Sequence, residues 1–266
     1  LSMIFDWKEI GQCIKVSSKV GQTVDAEKSL GSLGGGNHFI EIDVDDEGNK
    51  YLIVHSGSRN FGLKVCEYHQ KKAKTLMNEM FIGDAYKNLE FLPINNGGKD
   101  YLEDMIYAQI YAEYNRKIIL TKIMNFFFHK TDFQITNCIH NYIDINQKII
   151  RKGAISAQQG EEVIIPLNMR DGVILGIGKG NKDWNFSAPH GAGRILSRKK
   201  AKEIINIEDY KNTMSDVYTS CVNESTIDES PFAYKDKQLI IDSIQDTIEI
   251  VKMIKPVYNF KAGGDE

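Results

Sequence analysis

The alternation of apolar and polar residues divides the chain into hairpin-like segments and long helical stretches. After Gly34-Gly35-Gly36, residues up to Val44 read as a glycine turn followed by a strand, with Phe39 and Glu41 on one face and His38 and Ile40 on the other. Asp45 to Asn49 predict a tight turn. Tyr51 to His55 then predict an antiparallel partner that stops at Ser56-Gly57-Ser58-Arg59. Such a hairpin sets His38, at the start of one strand, and His55, at the end of the other, at the same end.

The spacing predicts a helix over Phe61 to Met80. It predicts a longer one over Leu102 to Met124, where Leu102, Met105, Ile106 and Ile110 share a face, with a Pro/Asn/Gly loop from Pro93 to Gly98 between the two. Farther on, Gln147 to Ala154, Glu162 to Pro166 and Gly172 to Gly178 read as short strands. A helix is expected to start just after Pro189-His190-Gly191 and end near Ile204. A last helix is expected from about Tyr234 to Met253, followed by an extended stretch from Lys255 to Lys261. Hairpins mixed with helices, without regular βαβ alternation, predict an α+β fold with central β-sheets and hairpins flanked by helices.

Composition narrows the function classes only a little. With 266 residues and 42% hydrophobic content, the chain can build one large domain or two small ones. A net charge of −3 excludes a protein that coats nucleic acid through overall charge, so any RNA contact belongs to a local groove. The four cysteines, Cys13, Cys66, Cys138 and Cys221, form no CxxC pair and are too scattered for a disulfide framework, so a reducing cytoplasm is the expected compartment. No apolar run reaches the roughly 18 residues of a membrane span, and Leu1 to Glu9 lack the regions of a signal peptide. The opening Leu1-Ser2-Met3, running straight into Ile4-Phe5-Asp6-Trp7, leads to the expectation that an amino-terminal portion is missing.

Three histidines sit where apolar strands meet polar loops: His38 in Asn-His-Phe, His55 in Val-His-Ser-Gly and His140 in Ile-His-Asn-Tyr. Imidazole suits manganese or zinc, and strand ends let distant segments converge on one ion. Taken singly, a histidine beside a strand is far more often a hydrogen-bonded structural residue than a ligand. His69 and His129 lack such a setting and read as surface or packing residues. His190 lies in Ser-Ala-Pro-His-Gly-Ala-Gly-Arg, where small residues let a backbone approach a ligand closely; amides at a helix start, together with Arg194, can hold a phosphate. By itself that segment reads more readily as a tight turn before a helix. The glycines around Gly35 and at Gly176, Gly178 and Gly180 match neither the Walker nor the dinucleotide pattern.

In order along the chain these segments resemble the RtcB family of RNA ligases. Gly34 to Glu41 resembles its GxGNHFxE motif, His55 to Gly62 its HSGSRxxG, His140-Asn141-Tyr142 its HNY and Arg151 to Ala154 its RKGA. Ile165 to Met169 is a variant of its IPGSMG, Ser187 to Arg194 is similar to SxPHGAGR, Asp228 to Asp236 to DExPxAYKD, and Lys255 to Lys261 to the closing RPVxxxK. The resemblance implies one RtcB-like catalytic domain over residues 1–266, lacking an amino-terminal portion. It also implies an enzyme that joins an RNA 3′-phosphate or 2′,3′-cyclic phosphate to a 5′-hydroxyl, in tRNA splicing or RNA repair.

The same resemblance implies roles for single residues. His190 would be the nucleophile that takes GMP from GTP. His38, His55 and His140 would bind one or two manganese ions. Asn37, Asn168, Met169, Gly191, Ala192, Gly193 and Arg194 would line the phosphate, and Phe39 and Tyr234 would flank the guanine. Glu41 and Lys261 would read its N1/N2 donors and its O6 acceptor. GTP, RNA ends and an archease-like activator are the implied partners, with no membrane. Two departures stand out: Leu167-Asn168-Met169-Arg170 replaces the family's GSMG, and nothing upstream of Gly34 matches the family's DxGCGM, which carries an aspartate and a bridging cysteine. The competing functions are a paralogue that binds GTP or RNA ends without joining them, and a manganese phosphoesterase acting on cyclic phosphates.

Overall fold

The computed structural model describes residues 26–82 and 85–262, so Cys13 and the amino-terminal reading lie outside the described residues. Two compact units emerge, one holding 26–32 and 56–129, the other 33–55 and 130–262. Mixed helix and antiparallel sheet bear out the α+β class.

The first unit is a helix pair, α1 (Arg59–Glu79) and α2 (Lys99–Phe128), preceded by a helical turn at Ala26–Ser29. In α1, Phe61, Val65, His69, Ala73 and Met77 are buried at strict four-residue spacing, which lays one stripe against α2. Phe61 and Val65 pack with Ala26 and Tyr111, whose hydroxyl donates to the Ala26 carbonyl at 2.6 Å. Asn115, fully buried, accepts from the Gly31 amide at 2.7 Å and donates to Ser56 Oγ at 2.9 Å and to the Ser32 carbonyl at 3.0 Å. His69 is a packing residue, buried with Nε2 2.6 Å from Asp104 Oδ2. His129 is an exposed left-handed residue that closes α2. The segment Pro93 to Gly98 is a turn, with Gly97 at φ +93°, leading directly into α2.

The second unit is built on a five-stranded antiparallel sheet. Its strands are β1 (Phe39–Val44), β2 (Lys50–His55), β6 (Glu162–Asn168), β7 (Gly172–Gly178) and β9 (Ile248–Phe260), in the order β2-β1-β9-β7-β6. Two smaller ladders join β3 (Tyr142–Asp144) to β4 (Ile149–Arg151), and β5 (Ala154–Ser156) to β8 (Ser187–Pro189). Three helices complete the unit: α3 (Arg198–Ile204), α4 (Ile207–Thr213) and α5 (Lys237–Ile244). Val163, Ile165 and Leu167 from β6, Ile174 from β7, Ile155, and Ile240 and Ile244 from α5 form the main core; Met169, Tyr210, Met214, Val217 and Ile227 form a second.

The structure corrects three expectations from the sequence. The last helix spans only Lys237–Ile244, and residues from Ile248 onward are β9. Ile240, Ile244 and Ile248 are spaced by four and enter one core cluster, which imitates a continuing helix. The β-branched Ile248, Ile250 and Ile254 pair with β7 instead. The stretch after His190 is not helical until Arg198. Arg194 bridges to Tyr234, and the Ile195 amide donates to the Ala233 carbonyl at 2.9 Å, which uses the backbone that a helix would need. The single strand expected from Gln147 to Ala154 is broken into β4 and β5 at Lys152-Gly153, where Gly153 adopts φ +66°.

Candidate functional site

The β1–β2 register sets Phe39 opposite His55, and with it both hairpin histidines at one end, as the alternation implied. The His38 and His55 ring centroids lie 5.5 Å apart, His55 and His140 5.5 Å apart, and His140 stacks on His190 at 4.8 Å with 27° between the planes. Four imidazoles from four segments therefore form one continuous chain. Phe39 closes its flank, 5.4 Å from His55.

The stacked pair is held by its neighbours in sequence. Asn141, next to His140, takes the left-handed conformation (φ +61°), and its Oδ1 accepts the Gly153 amide at 2.7 Å. The Gly153 carbonyl in turn accepts the His190 amide at 3.4 Å. A Cβ on Gly153 would make ordinary contact with His190, 3.4 Å from Cε1 and 3.5 Å from Nδ1, so it is the φ of +66° rather than space that calls for glycine there. Arg151, buried, adds a cross-link: Nε donates to Ser187 Oγ at 2.9 Å, and Nη1 to the Tyr142 hydroxyl at 2.9 Å and to Asp144 Oδ2 at 3.2 Å. It thus ties the strand that follows His140 to the strand that precedes His190.

Burial holds the His55 imidazole well below its ordinary pKa, helped by the positive charge that His140, His38, Lys261 and His190 would add. A neutral ring keeps the lone pair that a divalent ion requires. The donor chemistry therefore fits a metal. Among the described residues, however, no group of three or more His, Cys, Asp or Glu side chains is arranged to hold an ion, because the rings meet by edge and face.

Beside the histidines lies a charged and aromatic pocket. Lys261 Nζ sits 5.4 Å over the Phe39 ring and 3.2 Å from Glu229 Oε2. The same oxygen accepts the Tyr234 hydroxyl at 2.6 Å, while Glu229 Oε1 meets Arg194 Nη1 and Arg198 Nη1, each at 3.2 Å. Burial, followed by the Glu229 charge, raises the Tyr234 phenol. Glu41 lies opposite Asn259 in the β1–β9 register and accepts its Nδ2 at 2.6 Å. Burial pushes the Glu41 carboxyl up to about 8; the charge of Asp43 adds to this, while Asn259 and Lys261 oppose it. Asp43 is fully buried, neither of its oxygens has a hydrogen-bond partner among the described residues, and burial pushes it up to about 7.

The structure gathers His38, Phe39, His55, His140 and His190, and it joins Arg194, Tyr234 and Lys261 through Glu229. Other expected residues are occupied elsewhere or stand at the rim. Asn168 caps the β6–β7 turn, accepting from the Arg170 and Asp171 amides at 3.0 Å each and donating to Asp171 Oδ2 at 2.8 Å; Met169 is buried against Tyr210. The Ala192 amide donates to the Pro166 carbonyl at 3.1 Å, and the Gly193 carbonyl accepts the Lys235 amide at 3.0 Å. Gly191 also lies against Pro166, where a Cβ would come 3.0 Å from the carbonyl oxygen. Asn37 is exposed in the turn before β1. Asn141, Arg151, Glu229 and Asn259 were not singled out by sequence reasoning. Glu229 stands inside the polar Asp228–Asp236 turn, but nothing in that turn signals a buried acceptor.

Four chained imidazoles beside the Glu229 cluster thus bring together most of the residues that the sequence singled out. The chain belongs to the RtcB family: the family model described as tRNA-splicing ligase RtcB matches residues 8–262. The chain is 32% identical over 248 residues to the RNA-splicing ligase RtcB of Escherichia coli strain K12, covering 86% of this chain and 60% of that protein. It is 29% identical to the tRNA-splicing ligase RtcB of Aeropyrum pernix (83% of this chain, 56% of the relative) and 28% identical to that of Methanococcus maripaludis (86% and 58%). It spans about three fifths of the length of these curated relatives.

Proposed function

We propose that this chain carries the nucleotidyl-transfer site of an RtcB-type RNA ligase, within an RtcB-like fold. The carrying observation is His190 stacked on His140 and seated against Gly153, at the end of the imidazole chain and within one unit with the pocket of Phe39, Glu41, Tyr234 and Lys261. A His190 ring nitrogen attacks the α-phosphorus of GTP; the P–N bond forms, the α–β phosphoanhydride breaks and pyrophosphate leaves. Water opens a 2′,3′-cyclic phosphate to a 3′-phosphate. The RNA 3′-phosphate oxygen then takes GMP from the histidine, and a 5′-hydroxyl attacks the activated phosphate, releasing GMP and closing the phosphodiester.

Manganese bound to His38, His55 and His140 would supply charge neutralisation and orientation at the phosphates. Phe39 and Tyr234 flank the guanine, Lys261 meets O6, and Glu41 accepts from N1 and N2, a pattern that adenine cannot match. Arg194, with the amides of Gly191 and Gly193, lines the phosphate. Asn37 stands at that rim, whereas Asn168, Met169 and Ala192 support it from behind through the β6–β7 turn, Tyr210 and the Pro166 carbonyl. RNA with 3′-phosphate or cyclic-phosphate and 5′-hydroxyl ends, GTP and an archease-like activator are the partners of this reading, in the cytoplasm.

Incubation with radiolabelled GTP and manganese tests it. Mass spectrometry is expected to find GMP on His190, and His190→Ala to lose the label by at least a thousandfold. Label on a lysine, or label surviving in His190→Ala, overturns the assignment.

A further inference from the structure

Resting on the guanine-pocket reading above, we infer that Glu229 is a positioning residue that sets guanine preference by aiming Lys261 and Tyr234. The Lys261 side chain is only 4% exposed, and a buried ammonium keeps its charge and place only against a partner. Glu229 Oε2 is that partner at 3.2 Å, and it also fixes the Tyr234 hydroxyl at 2.6 Å. One oxygen therefore orients both the cation expected to meet guanine O6 and the ring expected to flank the base.

The other oxygen, Oε1, holds Arg194 and Arg198, and Arg198 also reaches Asp228 Oδ2 at 2.9 Å. A carboxylate offers about four acceptor directions. Lys261, Tyr234 and Arg194 donate to three of them, and Arg198 crowds Oε1 as an ion pair at 3.2 Å, so Glu229 is engaged by its neighbours and acts through them. It is itself buried, 3% exposed, and sits in a 3-10 turn (Glu224–Glu229) whose Asn223 side chain accepts the Ser225 amide. This rigid seat fixes the carboxylate, and the carboxylate in turn fixes the lysine.

The arrangement gives Glu229 a signature that general disruption lacks. Its base-facing partner, Lys261, reads O6, which guanine and hypoxanthine share and adenine lacks. Tyr234, which would flank any purine, and Arg194, expected to line the phosphate, are paired to the same carboxylate. Replacing the carboxylate therefore weakens nucleotides that carry O6 more than it weakens ATP.

The test is calorimetric titration of the chain with GTP, ITP and ATP in the presence of manganese, for the unmodified protein, Glu229→Gln and Glu229→Asp, with circular dichroism to confirm folding. Glu229→Gln is expected to weaken GTP and ITP alike by at least tenfold, with ATP weakened several-fold less. Equal weakening of all three, or an unchanged GTP-over-ATP ratio, overturns the inference. If Glu229→Gln does not fold, Glu229→Asp decides, with at least a threefold fall in that ratio expected and an unchanged ratio fatal. An unmodified protein without guanine preference overturns the pocket reading and this inference with it. Preference that survives in a folded Glu229 variant overturns this inference alone.

Discussion

The two halves of the site are built in opposite ways. The four imidazoles touch through ring edges and faces, and Asn141, Gly153 and Arg151 fix the backbone around them. The proposed base half is wired through side chains, with Glu229 taking three hydrogen bonds and an ion pair from Arg198. The first half is held by backbone and ring contacts. The second spends its side-chain hydrogen bonds in advance, an arrangement that would lower the cost of ordering the proposed base. Polar atoms of the histidine half should therefore be replaceable with damage confined to alignment, whereas breaking the support beneath either half should damage folding.

Arg151→Met sharpens the comparison most. It leaves the Tyr142 hydroxyl, Asp144 and Ser187 without their shared donor beneath the stacked histidines. Removing one member of a buried charged network costs about 3–5 kcal/mol, to be read from urea denaturation, with His190 labelling lost in parallel. A cost under about 1 kcal/mol would show that the ladders hold the histidines without it.

Asp43→Asn addresses the base half through pH. The Asp43 carboxyl rises from 3.8 to about 7 on folding, so the folded chain keeps a proton that the unfolded chain releases. Its contribution is therefore fully present below 3.8 and is lost as pH climbs to about 7. Over that interval the unmodified chain should lose about 2–4 kcal/mol relative to Asp43→Asn. Parallel stability curves for the two proteins would remove the buried, unpartnered carboxyl from the description.

Asn141→Ala should cost about 1–2 kcal/mol, from the lost Gly153 bond and the left-handed backbone. It should also slow His190 labelling about tenfold, the loss expected from roughly 1.4 kcal/mol of misalignment. Stopped-flow labelling at saturating GTP measures this. Tyr234→Phe is the mildest change, since the ring stays and one bond to Glu229 goes; about 1 kcal/mol of stability is at stake. A larger loss in a thermal melt would mean that the tyrosine hydroxyl, rather than the two arginines, anchors Glu229.

Much of the histidine half was legible in the sequence, because two-residue alternation and the Asp45–Asn49 turn fix the hairpin and carry His38 and His55 to one end. Its latch was not legible, since the β3–β4 ladder brings Asn141 to Gly153 and a second ladder, β5–β8, is needed to bring Gly153 to His190. The base half was readable as a list of motif residues but not as a network, because the carboxylate that joins them declares itself only by burial and distance. Local periodicity misled where tertiary pairing prevailed: Ile248 continues the spacing of α5, yet it opens a strand.

That strand sets the order in which the protein can assemble. β9 is the middle strand of its sheet, but it lies far along the chain from the β1–β2 hairpin, which it joins through pairs such as Glu41 with Asn259. The β1–β2 and β6–β7 hairpins can close on their own as they leave the ribosome, each with an open edge. They become one sheet only after residues 248–260 have been made. Contacts of such long sequence separation form slowly, and open edges invite pairing with other chains in the meantime. Asn259 and Lys261 arrive with that last strand, so the nascent chain cannot assemble the Glu41–Asn259 pair or the Lys261–Glu229 pair until its sheet is complete.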